Sequence, residues 1–404
     1  MDKATFEAEL ADLKKRFDAL APELEVTVRD PSLGLEGYIV VYNTGISLGG
    51  PLHYSGKGGT RVTPTVSLDE IRMLAKRMAL KNAAAGLPMG GAKSGLKAVS
   101  DAPDSERTYR RFVTLCKPYL RENGGPFGGF GFDIGGRPEH PVWACDELKS
   151  TQCFTGKPLS MGGTDYDREG IAGLGVAVAA KAALEHAGKS VQGTPFAVQG
   201  AGAMGAAIIR YFSEYGGKLV AVSDPRLGGT WSIHTPSQPL VQALSHGAFD
   251  EAKSLLNASG AHHNENPAAV LSAPCTVLFP AALQDVIDDT NVNTLQCAYV
   301  VEGANNPTSR TAQQALYARG VTLVPDFIAN PGGIIAAYVE LTSKVSVEEN
   351  ARTRAKAEEA KQLTRDRIAA NVKTMLDMAQ NLGVEPYEAA LYIALKKIVT
   401  WKDR

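Results

Sequence analysis

Pro195-Phe196-Ala197-Val198-Gln199-Gly200-Ala201-Gly202-Ala203-Met204-Gly205, continued by Ala206 to Tyr215 and by Lys218 to Asp224, decides the fold. Pro195 to Gln199 reads as a short buried strand, Ala206 to Tyr215 as a helix, and Lys218 to Val222 as the next strand. Between the first strand and the helix, Gly200 to Gly205 spells G-x-G-x-x-G. With 41 glycines in the chain that spacing arises readily by chance. The strand before it, the helix after it and Asp224 at the next strand's tip give it meaning. The glycines permit a tight turn and seat a pyrophosphate on the helix N-terminus. Gly200, Gly202, Ala203, Met204 and Gly205 are the expected cofactor contacts, with Asp224 accepting hydrogen bonds from the adenosine ribose. A carboxylate there repels a 2′-phosphate and favours NAD. Arg226 and Ser223 leave NADP possible.

Further upstream, Lys81-Asn82-Ala83-Ala84-Ala85-Gly86-Leu87-Pro88-Met89-Gly90-Gly91-Ala92-Lys93-Ser94-Gly95 carries two lysines twelve positions apart. Ser67 and Glu70 have the S-x-x-E spacing of a helix start, and Ile71, Leu74, Ala75 and Met78 repeat at helical intervals. Gly86 and Pro88 stop that helix, so Lys81 is expected near its C-terminus. Lys93 lies among Gly90, Gly91 and Gly95, in what reads as a glycine-rich turn. A lysine partly desolvated in a closed cleft loses its charge more easily and serves as a base near neutral pH. A surface lysine in a flexible turn is the alternative from these residues alone.

The stretch resembles the core motif of the glutamate/leucine/phenylalanine/valine dehydrogenases, K-x(5)-L-P-M-G-G-x-K-x-G or close variants. The match runs without a gap from Gly58-Gly59-Thr60-Arg61 through Lys81 to Lys93. Further motifs extend it. Asp133-Ile134-Gly135 matches the family's aspartate, and Thr155-Gly156-Lys157-Pro158 with Met161-Gly162-Gly163 resembles its crossing segment. Gly170, Ile171 and Ala172 stand where the family has E-A-T, so Ala172 lacks a threonine hydroxyl expected near the nicotinamide. Val277 to Ala282 resembles a strand ending in P-A-A, with Ala281 near the cofactor. Glu302 to Thr308 is close to E-G-A-N-x-P-T, and Pro325 to Gly333 to P-D-x-x-x-N-x-G-G. Asn305 and Asn330 are there to hold the ribose or nicotinamide side and the substrate; as plain turn residues they would need no ligand.

The resemblance implies an α/β protein with two domains. Residues 1–157 form an α/β substrate-binding and catalytic domain, and 158–344 a Rossmann NAD(P) domain. The C-terminal helices, 345–404, return to the first domain. The cleft between the domains is the expected active site, with hinges around 155–165 and 335–350. The implied reaction is reversible oxidative deamination of an L-amino acid to a 2-oxo acid and ammonia. Lys81 would pair the α-carboxylate, Lys93 would activate water, and Asp133 would shuttle protons at nitrogen. Gly58 and Gly59 are expected among the substrate-binding residues, and the glycines around Lys93 let a small substrate approach the backbone closely. Lys57, 24 positions before Lys81, stands where glutamate-specific members pair the side-chain carboxylate. Ala337 takes the place of their second, hydroxyl contact. Glutamate is the expected substrate, with a branched-chain or aromatic amino acid as the runner-up and Lys57 turned to solvent as the alternative. A nonenzymatic nucleotide or amino-acid sensor, or another Rossmann oxidoreductase, are the competing classes; the second leaves Lys81, Lys93 and Asp133 unexplained.

The bounds from composition agree. A chain of 404 residues favours two domains, and 44% hydrophobic with 21% charged residues is globular. A net charge of -1 argues against nucleic acid or a membrane as partner. The first fifteen residues are charged and helix-like rather than a signal peptide, and Gly170 to Ala180 is too short to span a bilayer. Cys116, Cys145, Cys153, Cys275 and Cys297 form no C-x-x-C pair and read as reduced thiols, which with the rest points to the cytoplasm. No cluster has metal-ligand spacing, and His262-His263 falls in an apparent linker, Pro225 to His263. A homo-oligomer is expected from the family, with amino acid, 2-oxo acid and ammonia as the small-molecule partners.

Overall fold

The computed structural model describes residues 1–346, 348 and 354–400. The chain divides into two compact units. One comprises Ala4–Tyr166, Ile334–Ala360 and Tyr392–Arg404; the other comprises Met1–Lys3, Asp167–Gly333 and Lys361–Leu391. The expectation that all C-terminal helices return to the N-terminal domain is therefore corrected, because Lys361–Leu391 belongs with the dinucleotide unit.

The first unit opens with α1 (Lys3–Asp18) and is built on strands β1 (Leu24–Asp30), β2 (Leu35–Tyr42), β3 (Gly56–Lys57), β4 (Thr60–Val62) and β5 (Gly90–Leu96). β5 is the hub. It pairs antiparallel with β2 (Val40 opposite Lys93) and parallel with both β3 and β4. Side chains alternate across β2. Tyr38, Val40 and Tyr42 pack with Ile71, Ala75 and Ala79 of α2 (Leu68–Ala84), while Ile39 and Val41 join the aromatic core of Phe112, Phe127, Phe130 and Phe154. Each such ring, fully buried, contributes about 1.5–3 kcal/mol. The glycine-rich stretch from Gly124 is part of this packing. Phe127 and Phe130 anchor it in that core, and β6 (Phe130–Gly131) pairs with β7 (Phe154–Thr155). Helices α3 (Ser105–Cys116) and α4 (His140–Leu148) cover the same core.

The turn expected at Lys93 is a strand. Gly91 and Gly95 share the α2 face with Lys93, and a Cβ on Gly91 would meet Ala75 O and Ala79 N at 2.2 Å. Glycine lets helix backbone lie directly on strand backbone there, so its role is packing rather than flexibility.

In the second unit, α5 (Ile171–His186) precedes a seven-stranded sheet. Its strands are β8 (Pro195–Gln199), β9 (Lys218–Asp224), β10 (Gly229–Ser232), β11 (His262–Asn264), β12 (Val277–Pro280), β13 (Tyr299–Val301) and β14 (Thr322–Val324). The order is β11-β10-β9-β8-β12-β13-β14, with β9, β8, β12, β13 and β14 parallel. Taken alone, the parallel strands run 2-1-3-4-5, a doubly wound sheet that reverses direction between β8 and β12. Helix α6 (Ala203–Glu214) follows β8, and Phe196, Phe212 and Phe279 interlock edge to face beneath it. Pro225 to His263, expected as a linker, instead holds antiparallel β10 and β11 and two helices, α7 (Gln238–Ser245) and α8 (Phe249–Ala258). His262 and His263 lie exposed on edge strand β11, with His263 stacked on Trp231 at 4.4 Å. Further helices among the described residues are α9 (Arg310–Ala318), α10 (Asp326–Ala329), α11 (Gly332–Thr342), α12 (Ala355–Leu382) and α13 (Pro386–Val399). Of the stretch 345–404 expected to hold the C-terminal helices, residues 347, 349–353 and 401–404 lie outside the described residues. No described helix is long and apolar enough to cross a membrane.

Candidate active site

Lys93, on β5, is only 6% exposed, and its Nζ lies 3.2 Å from Asp133 Oδ2. Burial pulls the ammonium below an ordinary lysine, while the Asp133 charge opposes that pull. Burial also works to raise the Asp133 carboxyl. The charges of Lys93 and Arg61, with the hydrogen bond from Arg61, outweigh it and hold Asp133 below the usual carboxylate range. Arg61 Nε donates to Asp133 Oδ2 at 2.9 Å and Nη1 donates to Glu70. This close grouping is made possible by Gly58 and Gly59. A Cβ on Gly58 would sit 1.7 Å from Ala92 O, and one on Gly59 2.4 Å from Phe132 O. Both glycines therefore face neighbouring backbone, and they bring β3 and β4 against β5 and the Asp133 loop.

Lys81 ends α2 as expected, half-buried in its last turn. Lys57 does not face solvent, and its ammonium is occupied by backbone carbonyls. It is 1% exposed, and its ammonium donates to Gly58 O (2.9 Å), Gly129 O (2.9 Å) and Phe130 O (2.8 Å). Those three bonds use all three donors of the ammonium. Burial pulls Lys57 down to about 7. Ala337, on α11, is buried and offers no hydroxyl. In the same unit, Glu340 accepts from Lys157 Nζ, Gly156 N (2.9 Å), Thr164 N (3.0 Å) and Thr164 Oγ1 (3.1 Å). The T-G-K-P motif marked Lys157, but nothing local in the sequence pointed to Glu340 as its partner.

In the second unit, Gly200 has φ +89°, a left-handed turn that only glycine enters without strain. Gly202 caps α6, and a Cβ on Gly205 would sit 1.7 Å from Gly200 O, which closes the strand–helix turn. Ala203 and Met204 open the helix, so its first N–H groups and its dipole face outward from the turn. Ala281 follows β12 across the switch point and donates its N–H to Gln199 O at 2.9 Å. Ala172 lies in the first turn of α5, next to the Gly332 backbone. Asn330 donates to Gly303 O (3.0 Å) and Asn305 Oδ1 (3.2 Å), and its buried Oδ1 has no partner among the described residues. An outward helix N-terminus, a side-chain-free turn and an orphaned acceptor at the sheet's carboxyl edge fit a dinucleotide.

Asp224 was expected to await a ribose. Its carboxylate instead accepts from Ala201 N (2.9 Å), Arg226 N (2.9 Å), Arg226 Nε (2.8 Å) and Arg226 Nη2 (2.9 Å). The Arg226 guanidinium lies 3.8 Å over the Phe249 ring and, with Gly202, Ala203, Arg210 and His246, lines a cavity of about 200 Å³. At the end of β13, Glu302 is fully buried, and burial together with Asp326 pushes its carboxyl up to about 8. Its Oε2 accepts from Asp326 N at 2.9 Å. Arg61, Glu70, Glu302 and Asp326 received no role from sequence. Arg61 stood inside the G-G-x-R motif, and Glu70 was read only as a helix cap.

Fold and residue set together define a dehydrogenase of the nicotinamide-dinucleotide class. The chain belongs to the Glutamate/Leucine/Phenylalanine/Valine dehydrogenase family, whose pattern matches residues 162–404, with the Glu/Leu/Phe/Val dehydrogenase dimerisation domain matching 22–134. It is 34% identical over 317 residues to an NADP(+)-dependent glutamate dehydrogenase of Pyrobaculum calidifontis, covering 76% of this chain and 72% of that protein. It is similar in structure to the hetero-hexameric glutamate dehydrogenase of Thermus thermophilus in its leucine-bound form, at TM-score 0.76 and 25% identity over 99% of this chain and 97% of that one. The L-tryptophan dehydrogenase of Nostoc punctiforme shares the fold at TM-score 0.67 and 22% identity, over 98% of this chain and 99% of that one.

Proposed function

We propose that the protein interconverts an L-amino acid with its 2-oxo acid and ammonia, with L-glutamate as the amino acid. The observation that carries the reaction is the Lys93–Asp133 pair, a buried amine 3.2 Å from a carboxylate held ionised. A bound nicotinamide dinucleotide supplies the hydride acceptor for the α-carbon. Gly200, Gly202, Ala203, Met204 and Gly205 hold its pyrophosphate, with Ala172, Ala281, Asn305 and Asn330 toward its nicotinamide half. Lys81, fixed on a helix, neutralises the substrate α-carboxylate. Neutral Lys93 takes the proton from the water that adds to the imine carbon, and Asp133 exchanges protons with the nitrogen. The domain roles follow: 1–157 handles the substrate and 158–344 the dinucleotide.

Glutamate is supported by the likeness to glutamate dehydrogenases and by a buried lysine at position 57. A branched-chain or aromatic substrate is a second reading, favoured by the three carbonyls that occupy the Lys57 ammonium and by apolar Ala337. For the cofactor, Asp224 suits a 2′-hydroxyl and Arg226 a 2′-phosphate, so NAD and NADP are both accepted. Self-association is supported by the dimerisation-domain match. Lys93→Ala is expected to abolish turnover across a panel of L-amino acids with NAD and NADP, read at the nicotinamide absorbance, while dinucleotide binding survives. Near-normal turnover in that variant sinks the mechanism.

A further inference from the structure

Asp133 carries two cations on a single oxygen. Arg61 Nε and Lys93 Nζ both meet Oδ2, at 2.9 and 3.2 Å, and Oδ1 accepts no hydrogen bond among the described residues. Asp133 itself lies outside regular structure, whereas both supports of Arg61 are regular. Its backbone is in β4, in parallel register with Gly95, and its far nitrogen is held by Glu70 in the first turn of α2. Glu70 is fixed in turn, its N–H bonded to Ser67 Oγ at 3.2 Å. Val62 N donates to Ile134 O at 2.9 Å and ties β4 to the Asp133 loop. Arg61 is 15% exposed at its side chain, so solvent screens its charge little.

We infer that Arg61, anchored by Glu70, is a positioning residue for the Lys93–Asp133 pair: it fixes Oδ2 and leaves Oδ1 to exchange protons with the substrate nitrogen. The inference rests on the dehydrogenase reading above. Without the guanidinium, a loop carboxylate would rotate onto Lys93 alone. A one-to-one ion pair would then hold the amine charged and occupy the carboxylate. Arg61 prevents both outcomes. Its charge disfavours the ammonium of Lys93 and favours the carboxylate of Asp133. The charged groups facing this pair are Arg61 from β4, Glu70 from α2, and Lys57 from β3, which bears on Lys93. Both groups are thereby held low, Lys93 toward the neutral amine and Asp133 toward the carboxylate, the two forms the reaction uses.

The test uses the full chain with Arg61→Met and Arg61→Lys. In Arg61→Met, kcat should fall roughly 100-fold, the scale of one misplaced acid–base group. KM for the amino acid and Kd for NADP should stay within about threefold, because Arg61 touches neither. Both limbs of the kcat/KM pH profile should move upward by about one pH unit, the size of shift one close opposite charge commonly gives a carboxylate. Arg61→Lys should return the limbs but only part of kcat, since an ammonium lacks the planar fork. A carbon-13 titration of the Asp133 carboxyl needs no turnover, so it stands even if the dehydrogenase reading fails. It should show the same upward shift in Arg61→Met. Arg61→Gln carries the same measurements should the methionine variant not fold. Limbs and an Asp133 titration that stay at the wild-type pH overturn the inference, whatever happens to kcat.

Discussion

Lys57→Met decides the substrate side chain. The Lys57 ammonium donates to Gly58 O, Gly129 O and Phe130 O, so a substrate carboxylate engages it only by displacing one carbonyl. If glutamate makes that exchange, the substitution removes a buried charge pair worth about 2–5 kcal/mol. At about 1.36 kcal/mol per tenfold, the loss is roughly 30- to 5000-fold in kcat/KM for glutamate. Leucine makes no such pair, and its kcat/KM should hold or rise. Burial pulls Lys57 down to about 7, so the glutamate-to-leucine ratio should be largest below pH 7 and fade as pH rises through it. The substitution also orphans three carbonyls, each costing about 1–3 kcal/mol if water does not reach it. That loss of stability is common to both substrates, and urea denaturation of the same samples measures it separately. The assay is kcat/KM for L-glutamate and L-leucine at saturating dinucleotide, across pH. A ratio that stays within about threefold of wild type refutes the reasoning. Lys57 is then a structural post and the amino acid is apolar.

Two further predictions concern the second unit. Glu302, raised to about 8 by burial and by Asp326, stays protonated in the folded state at pH values where the unfolded chain has lost the proton. Its contribution to stability is fully present below about 4.5 and is lost as pH rises toward 8. Wild type should therefore lose denaturation free energy between pH 5 and pH 8 relative to Glu302→Gln, and parallel curves for the two proteins would contradict this. Arg226→Ala should cost NADP activity at least tenfold, about 1.4 kcal/mol for one charge-assisted phosphate contact, while sparing NAD. Equal losses with both dinucleotides would show that Arg226 only braces Asp224.

Sequence alone determined the parts whose physics is local. The G-x-G-x-x-G turn is a matter of backbone conformation over a few residues, which is why Gly200 at φ +89° and the opening of α6 were legible. The helix carrying Lys81 could be read from its cap and apolar repeat for the same reason. Tertiary structure decided whatever depends on a partner far along the chain. Lys93 looked like a turn residue because glycine-rich strands have no periodic signal; pairing with β2, β3 and β4 makes the segment a strand, and the α2 backbone lying on Gly91 explains its glycines. The segment after Asp224 read as a linker because its short antiparallel strands are defined by pairing with β9, not by their own pattern. Lys57 could be placed in a family position, but two of its three carbonyl partners lie 72 and 73 residues away. Arg61 and Asp133 are likewise 72 residues apart. A side chain's type limits which bonds it can make. The packing that removes water from around it selects which of them it does make, and that packing is set by residues distant in sequence.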